Sequence, residues 1–172
     1  AGASGGSYIF FNTTSPTFEI SGIDTRCYWD AFLSVGIYKN NTTSNGSDFI
    51  IEVSEDGITY NPLIYTLPTG ISTNRWYGVN LVGNIPLVSN LYIRFRQTSS
   101  STQYRIDDIN LAGIQNITDS FISNCMGFMY DSIIYTQDSV YLFNEIGWNG
   151  CDSFVRIDYV KDLSDPSCIL PI

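Results

Sequence analysis

Apolar and polar residues alternate along much of this chain, which is the pattern of β-strands with one buried face. The clearest example runs from Cys27 to Ile37, where every second residue is apolar. We find no window with the 3.6-residue period of an amphipathic helix. Strands are predicted at residues 27–37, 49–53, 58–67, 76–82, 91–96 and 104–111. The pattern therefore predicts an all-β chain with turns at the spacing of a β-sandwich.

The last third of the chain is patterned differently. A boundary is predicted near residues 113–118, and it divides a first domain (1–114) from a second (115–172). Short strands are predicted beyond it at residues 132–136, 139–144 and 154–160. So few short strands bury little surface. We therefore expect this module to be held by a disulfide or by docking onto the larger sandwich.

Composition narrows the function classes. The 172 residues hold 8 Lys and Arg against 17 Asp and Glu, for a net charge of −9 and no histidine. Such a charge disfavours nucleic acid as a partner, and the lack of histidine excludes Ser–His–Asp catalysis and the usual His-ligated metals. Apolar runs are far shorter than the ~20 residues of a membrane span. We expect a binding or structural protein and no enzyme.

Four cysteines indicate the compartment. Cys27, Cys125, Cys151 and Cys168 form no C-x-x-C pair, and four cysteines allow three disulfide pairings that spacing alone leaves open. The chain is acidic and rich in Ser, Thr, Asn and Gly, which favours an extracellular or cell-surface location. Buried free thiols in a cytosolic protein are the alternative.

Three motifs, in their order and spacing, resemble a known family. They are Ile51-Glu-Val-Ser-Glu-Asp-Gly-Ile-Thr-Tyr60, Leu91-Tyr-Ile-Arg-Phe-Arg96 and Tyr104-Arg-Ile-Asp-Asp-Ile-Asn-Leu111. Together they are similar to the jelly-roll sandwich domains of secreted and surface proteins of the Bacteroidota. The resemblance covers roughly residues 8–114 and implies a jelly-roll β-sandwich followed by a small C-terminal, disulfide-tied β module. It does not imply one activity.

The second half resembles another module of the same exported proteins. In that module an upstream cysteine precedes a Gly-Cys-Asp-Ser turn, as Cys125 precedes Gly150-Cys151-Asp152-Ser153 here. The strand after the turn is less apolar than the module's usual one. This resemblance implies export of the type IX secretion kind and a bridge between Cys125 and Cys151. Cys168 would then bond to Cys27 or to a neighbouring subunit.

Adjacent carboxylates provide a candidate metal site. The apolar phase of the strand at 104–111 shifts across Asp107 and Asp108, as a β-bulge produces. Oxygen ligands of this kind suit a structural Ca²⁺. In jelly rolls of the resembled kind a calcium joins the last strand to the N-terminal part, so Glu19 or Asp24 would complete the site. The alternative is an ion pair with Arg94 or Arg105.

Aromatic residues provide a candidate glycan site, because a ring face can stack on the apolar face of a sugar. Trp76, Tyr77 and Trp148 are the main candidates, whereas Trp29 lies in the inward phase of its strand and is predicted to be core. Packing in the core is the alternative for each of these tryptophans.

The N-terminal segment Tyr8-Ile9-Phe10-Phe11 is short, apolar and β-prone. It could form an edge strand of its own sandwich, or add a strand to a neighbouring copy. The second use would build a filament, tube or sheath. Our first hypothesis is therefore a self-assembling extracellular subunit, with copies of itself as partners. The alternatives are a carbohydrate-binding or adhesive module that binds surface glycans, and an accessory domain of a larger enzyme.

Overall fold

The computed structural model describes residues 5–115, 117–146 and 151–164. Within these ranges the chain forms β-strands and no helix, and the described residues therefore contain no helix that is long and apolar enough to cross a membrane. The chain divides into two compact units, Ala1–Ile114 and Gln115–Ile172. The prediction of an all-β protein is confirmed.

In the first unit, the described residues form eight strands. They are β1 (Ile9–Phe11), β2 (Thr17–Ile23), β3 (Tyr28–Lys39), β4 (Phe49–Ser54), β5 (Asn61–Leu63), β6 (Trp76–Asn80), β7 (Leu91–Gln97) and β8 (Tyr104–Gln115). They form two four-stranded sheets in the orders β1-β8-β3-β6 and β2-β7-β4-β5. The first strand pairs with the eighth, the second with the seventh, the third with the sixth and the fourth with the fifth. This nested pairing is that of a jelly-roll sandwich, as predicted.

The core lies between the inner faces of the two sheets. On β3, Leu33, Val35 and Ile37 are buried, and so are the alternate residues of β7. Each fully buried side chain of this size contributes roughly 1.5–3 kcal/mol. The prediction for Trp29 is wrong, because this side chain is 70% exposed. It lies near the start of β3, where the strand extends beyond the buried part of its inward face, which begins at Ala31.

Five strands lie in the described part of the second unit: β9 (Ile117–Asn124), β10 (Phe128–Tyr130), β11 (Ile133–Tyr135), β12 (Ser139–Ile146) and β13 (Asp152–Lys161). Strand β13 lies between β12, which is antiparallel to it, and β9, which is parallel. Strands β10 and β11 form a separate hairpin. The small core is mostly aromatic and centres on Phe128 and Tyr159.

Disulfides tie the described cysteines. Cys27 is bonded to Cys151, and Cys125 is also disulfide-bonded. The pairing of Cys125 with Cys151, which the resemblance implied, is therefore wrong, because a cysteine forms one disulfide and that of Cys151 is with Cys27. Cys168 lies outside the described residues.

Candidate functional site

The outer face of the sheet β1-β8-β3-β6 carries a cluster of aromatic side chains. Because Ile37 and Tyr77 pack against the core, their neighbours Tyr38 and Trp76 lie on the outer face. These two residues are partners in the β3–β6 register, and their ring centroids are 5.7 Å apart. Tyr8 contributes a third ring, edge-on at 6.4 Å from Trp76. We call Tyr8, Phe10, Tyr38 and Trp76, with Arg105 among them, the aromatic face.

Arg105 lies at the centre of the aromatic face. Its guanidinium carbon is 4.8 Å from the ring centroid of Tyr38, 5.1 Å from that of Tyr8 and 5.2 Å from that of Phe10. Phe10 is also its direct cross-strand partner. The Nε of Arg105 is buried and has no hydrogen-bond partner. In the part of the chain that the structure describes, no carboxylate pairs with this guanidinium.

A shallow groove of about 360 Å³ lies beside the aromatic face. Its lining residues are Ser34, Val35, Gly36, Gly78, Val79, Asn80 and Asp108. Gly36 and Gly78 are partners in the β3–β6 register, and a Cβ on Gly78 would meet no other atom within 4 Å. Gly78 therefore leaves open backbone at the groove that a ligand can approach closely, whereas Gly36 beside it is buried.

The paired strands β3 and β6 thus carry three successive pairs of residues on the outer face of the sheet. Along β3 and β6 the outward pairs are Tyr38 with Trp76, Gly36 with Gly78, and Ser34 with Asn80. Phe32 follows on β3 and is 50% exposed. From Tyr38 to Phe32 the strand extends about 20 Å, at roughly 3.3 Å per residue. The surface is long enough for several units of a linear polymer.

The carboxylates at the groove come from an irregular part of β8. Ile106, Ile109 and Leu111 all pack against the core, so two residues, Asp107 and Asp108, lie between the first two inward positions. Asp108 has a positive φ of 49°, and its backbone N–H donates to Asp107 Oδ1 at 2.9 Å. This backbone geometry places Asp108 at the groove.

A buried lysine fixes the end of β3 next to Tyr38. The Nζ of Lys39 donates to the carbonyl oxygens of Ser44 and Pro68. Burial lowers the pKa of Lys39, and the charge of Asp48 opposes that shift. For Asp48, burial alone would raise the pKa, but hydrogen bonds from the hydroxyls of Ser44, Tyr104 and Thr102 together lower it. Lys39 thus joins the end of β3 to the segments that carry Ser44 and Pro68.

The predicted calcium ligands are not brought together. Asp24 pairs with Arg26 at 2.6 Å, which lowers the pKa of its carboxyl to about 2. Glu19 lies on β2, in the sheet opposite Asp107 and Asp108, and accepts a hydrogen bond from the Tyr60 hydroxyl. Among the described residues no group of three acidic, His or Cys side chains could hold a metal. Calcium binding stays a prediction from the sequence.

Of the three predicted glycan-binding aromatics, one belongs to the aromatic face. Trp76 lies there, whereas Tyr77 packs against the core and its hydroxyl donates to the Thr73 carbonyl oxygen at 3.0 Å. Trp148 lies outside the described residues. Sequence reasoning missed Tyr38, Arg105 and the two glycines. The outward phase of the strand that contains Ile37 was the signal for Tyr38.

The predicted assembly strand lies in its own sandwich. Ile9, Phe10 and Phe11 form β1, which pairs with β8, and Phe11 is 2% exposed in the core. Of the two uses considered for this segment, the structure shows the edge strand. Donation to a neighbouring copy would expose Phe11 and remove Tyr8 and Phe10 from the aromatic face.

Comparisons with known proteins give no family for this chain. No family model matches it, and no curated protein matches it. Among solved structures it is similar to a family two carbohydrate esterase from Clostridium thermocellum, determined in complex with cellohexaose. The two chains are 12% identical with a TM-score of 0.36, and the similarity covers 67% of this chain and 32% of that chain. The present chain thus spans about a third of that protein's length.

Proposed function

We propose that this protein is a non-catalytic carbohydrate-binding module whose site is the aromatic face and the adjoining groove. The observation that carries the proposal is the ladder on which the ring pair Tyr38 and Trp76 adjoins the glycine pair Gly36 and Gly78. Self-association through β1 is not part of the proposal, because that strand is paired within its own sheet.

The chemistry of the site suits a sugar. A pyranose has an apolar C–H face, which packs on an aromatic ring whose face is electron-rich. Its hydroxyls need hydrogen-bond partners, and Ser34, Asn80 and Asp108 supply both donors and acceptors in the groove. A mostly apolar surface with a few convergent polar groups is typical of ligand sites. The shallow, elongated shape favours a chain of sugars over a single one.

The proposal includes an extracellular setting. Disulfides persist in oxidising compartments and are rare in the cytosol, and three cysteines of the described residues are disulfide-bonded. Polysaccharides of surfaces and cell walls are also the ligands that such a module would meet outside the cell.

Affinity electrophoresis through gels that contain soluble polysaccharides tests the proposal. We expect at least one of a panel of β-glucan, xylan, mannan, galactan and uronate-containing polymers to retard the protein. Trp76→Ala should weaken that binding by about tenfold or more, roughly 1.4 kcal/mol. Tyr60→Ala, which removes an aromatic residue from the opposite sheet, is the matched control and should leave it unchanged.

A second variant fills the groove without touching the aromatic rings. Gly78→Val places a side chain where the structure has open space, so the fold should tolerate it while the groove is blocked. Thr17→Val, at an exposed position of β2 in the other sheet, is its control. If no polysaccharide retards the native protein, or if both groove and ring variants bind normally, the proposed function is wrong.

A further inference from the structure

Arg105 differs from the other arginines of the described residues. Four of them pair with a carboxylate, and Arg75, which lies 5.4 Å from the Tyr77 ring centroid, is exposed to solvent. Arg26 pairs with Asp24 at 2.6 Å, and Arg156 pairs with Asp119 at 3.6 Å. On the opposite sheet, Arg94 and Arg96 both donate to Glu52, at 2.7 and 3.2 Å. Arg105 is half-buried and has neutral rings around it in place of a carboxylate.

The missing partner has an energetic consequence. Cation–π contacts offset part of the cost of burying the charge, but the rings accept no conventional hydrogen bond. The buried Nε is without a partner, and the terminal nitrogens donate to none of the described residues. A guanidinium carries five N–H donors in a planar fork, which matches the two oxygens of a carboxylate. A ligand carboxylate that binds the two terminal nitrogens would satisfy donors that this protein leaves unpaired.

From this geometry we infer that the site selects polysaccharides in which a uronic acid is linked to neutral sugars. The inference rests on the proposed carbohydrate-binding function and names its ligand class. A sugar stacked on Tyr38 would lie within one sugar's width of Arg105, whose guanidinium carbon is 4.8 Å from that ring. The carboxylate of a uronic acid projects sideways from the sugar ring, toward a neighbour of the stacking surface.

The groove sets the second half of this specificity. Asp108 lines the groove and Asp107 adjoins it, so a second carboxylate would meet like charge there. The neighbouring sugar must therefore be neutral, with hydroxyls that Asp108 and Asn80 can bind. A polymer of uronic acids alone would satisfy Arg105 but be repelled at the groove, and a net charge of −9 adds to that repulsion.

Matched polymers test the inference on the unmodified protein. The probes are glucuronoxylan, gum arabic and gellan, each native and after chemical reduction of its carboxylates to alcohols. We expect at least one native polymer to bind about tenfold or more tightly than its reduced form, as a charge-assisted hydrogen bond provides. The difference should shrink as salt is raised. Polygalacturonate should bind more weakly than the best mixed polymer.

Variants assign the selectivity to one side chain. Arg105→Gln should bring the affinity for native polymer down to that for reduced polymer, and Arg105→Lys should retain part of the difference, because it keeps the charge but loses the fork. Arg94→Gln, from the opposite sheet, should leave the difference intact. Urea unfolding of each variant separates misfolding from lost recognition.

The outcomes are distinguishable. Equal binding of native and reduced polymers, or tighter binding of dextran sulfate than of every carboxylated polymer, would overturn the inference and leave the proposed function standing. If polygalacturonate were the tightest ligand, the inference that the sugar beside the uronic acid must be neutral would be overturned. Failure of every polysaccharide, neutral or acidic, to bind would overturn both.

Discussion

The two outer faces of the sandwich each carry an arginine beside aromatic rings, and they differ in what completes the cluster. On the sheet β2-β7-β4-β5, Arg94 lies 3.4 Å from the ring centroid of Tyr60 and donates to Glu52 at 2.7 Å. On the sheet β1-β8-β3-β6, Arg105 has three rings at about 5 Å and no carboxylate among the described residues.

The cluster around Arg94 is complete within the protein. Glu52 is only 4% exposed and accepts from both Arg94 and Arg96. The Tyr60 hydroxyl in turn donates to Glu19. No member of this cluster needs an external partner, so it serves the stability of the sheet. The cluster around Arg105 differs because the described residues supply no counter-charge to it, and in the proposed function a ligand supplies that charge.

The largest loss of unfolding free energy is expected when the carboxylate is removed from the cluster around Arg94. Glu52→Gln removes the one anion that two partly exposed arginines share, and breaking a largely buried pair in this way should cost about 2 kcal/mol of unfolding free energy. The shift of the urea midpoint measures it. Polysaccharide binding should be unchanged, since Glu52 lies on the opposite sheet. An unaltered midpoint would show that this cluster is not structural.

Adding a carboxylate beside Arg105 should change the free energy of unfolding less and should specifically alter the binding of acidic polysaccharides. Phe10 is the cross-strand partner of Arg105 and is 42% exposed, so Phe10→Glu supplies an internal carboxylate, a pair that contributes roughly 0.2–1 kcal/mol. The roughly tenfold preference for native over reduced polymer should then disappear. Phe10→Gln is the uncharged control. Retention of the preference in Phe10→Glu would contradict the role given to Arg105.

The smallest effect on stability is expected from ionisation of the Tyr60 hydroxyl in the cluster around Arg94. Burial raises the pKa of Tyr60 to about 12, the hydrogen bond to Glu19 adds to the shift, and Arg94 opposes it. Because the native state holds this proton more tightly than the unfolded chain, the resulting stability is full below about pH 10 and is lost as pH rises toward 12. Tyr60→Phe should reduce this alkaline loss and remove one phenol that ionises near pH 12 from the ultraviolet titration. Ionisation of that phenol near pH 10 would contradict the described contacts.

Much of the fold could be predicted because burial imposes a period of two. The alternation around Leu33, Val35 and Ile37 predicted β3 with its correct inward face. The same rule failed at Trp29, which shares the phase of the buried Ala31 and Leu33 but lies at the end of the strand, beyond the core. The N-terminal part of the chain offered weaker signals, and β2 was missed because Thr17–Ile23 carries a glycine and a register shift.

The candidate site was predictable only in part, because it depends on partners across the sheet. Trp76 and Tyr77 are adjacent aromatics, so the sequence does not say which faces outward until the register of β6 against β3 is known. Likewise, nothing local distinguishes Arg105 from Arg94. Their roles differ because Glu52 lies opposite one of them and Phe10 opposite the other.

A nuclear magnetic resonance titration tests the central claim most directly. The ¹⁵N-labelled protein would be titrated with oligosaccharides from whichever polysaccharide retards it most in affinity electrophoresis. The account predicts the largest shifts at the Gly36, Gly78 and Asn80 amides and at the side-chain N–H groups of Trp76 and Arg105, with those of the Arg94 cluster unmoved. Shifts centred on the sheet β2-β7-β4-β5, or on the unit Gln115–Ile172, would contradict it.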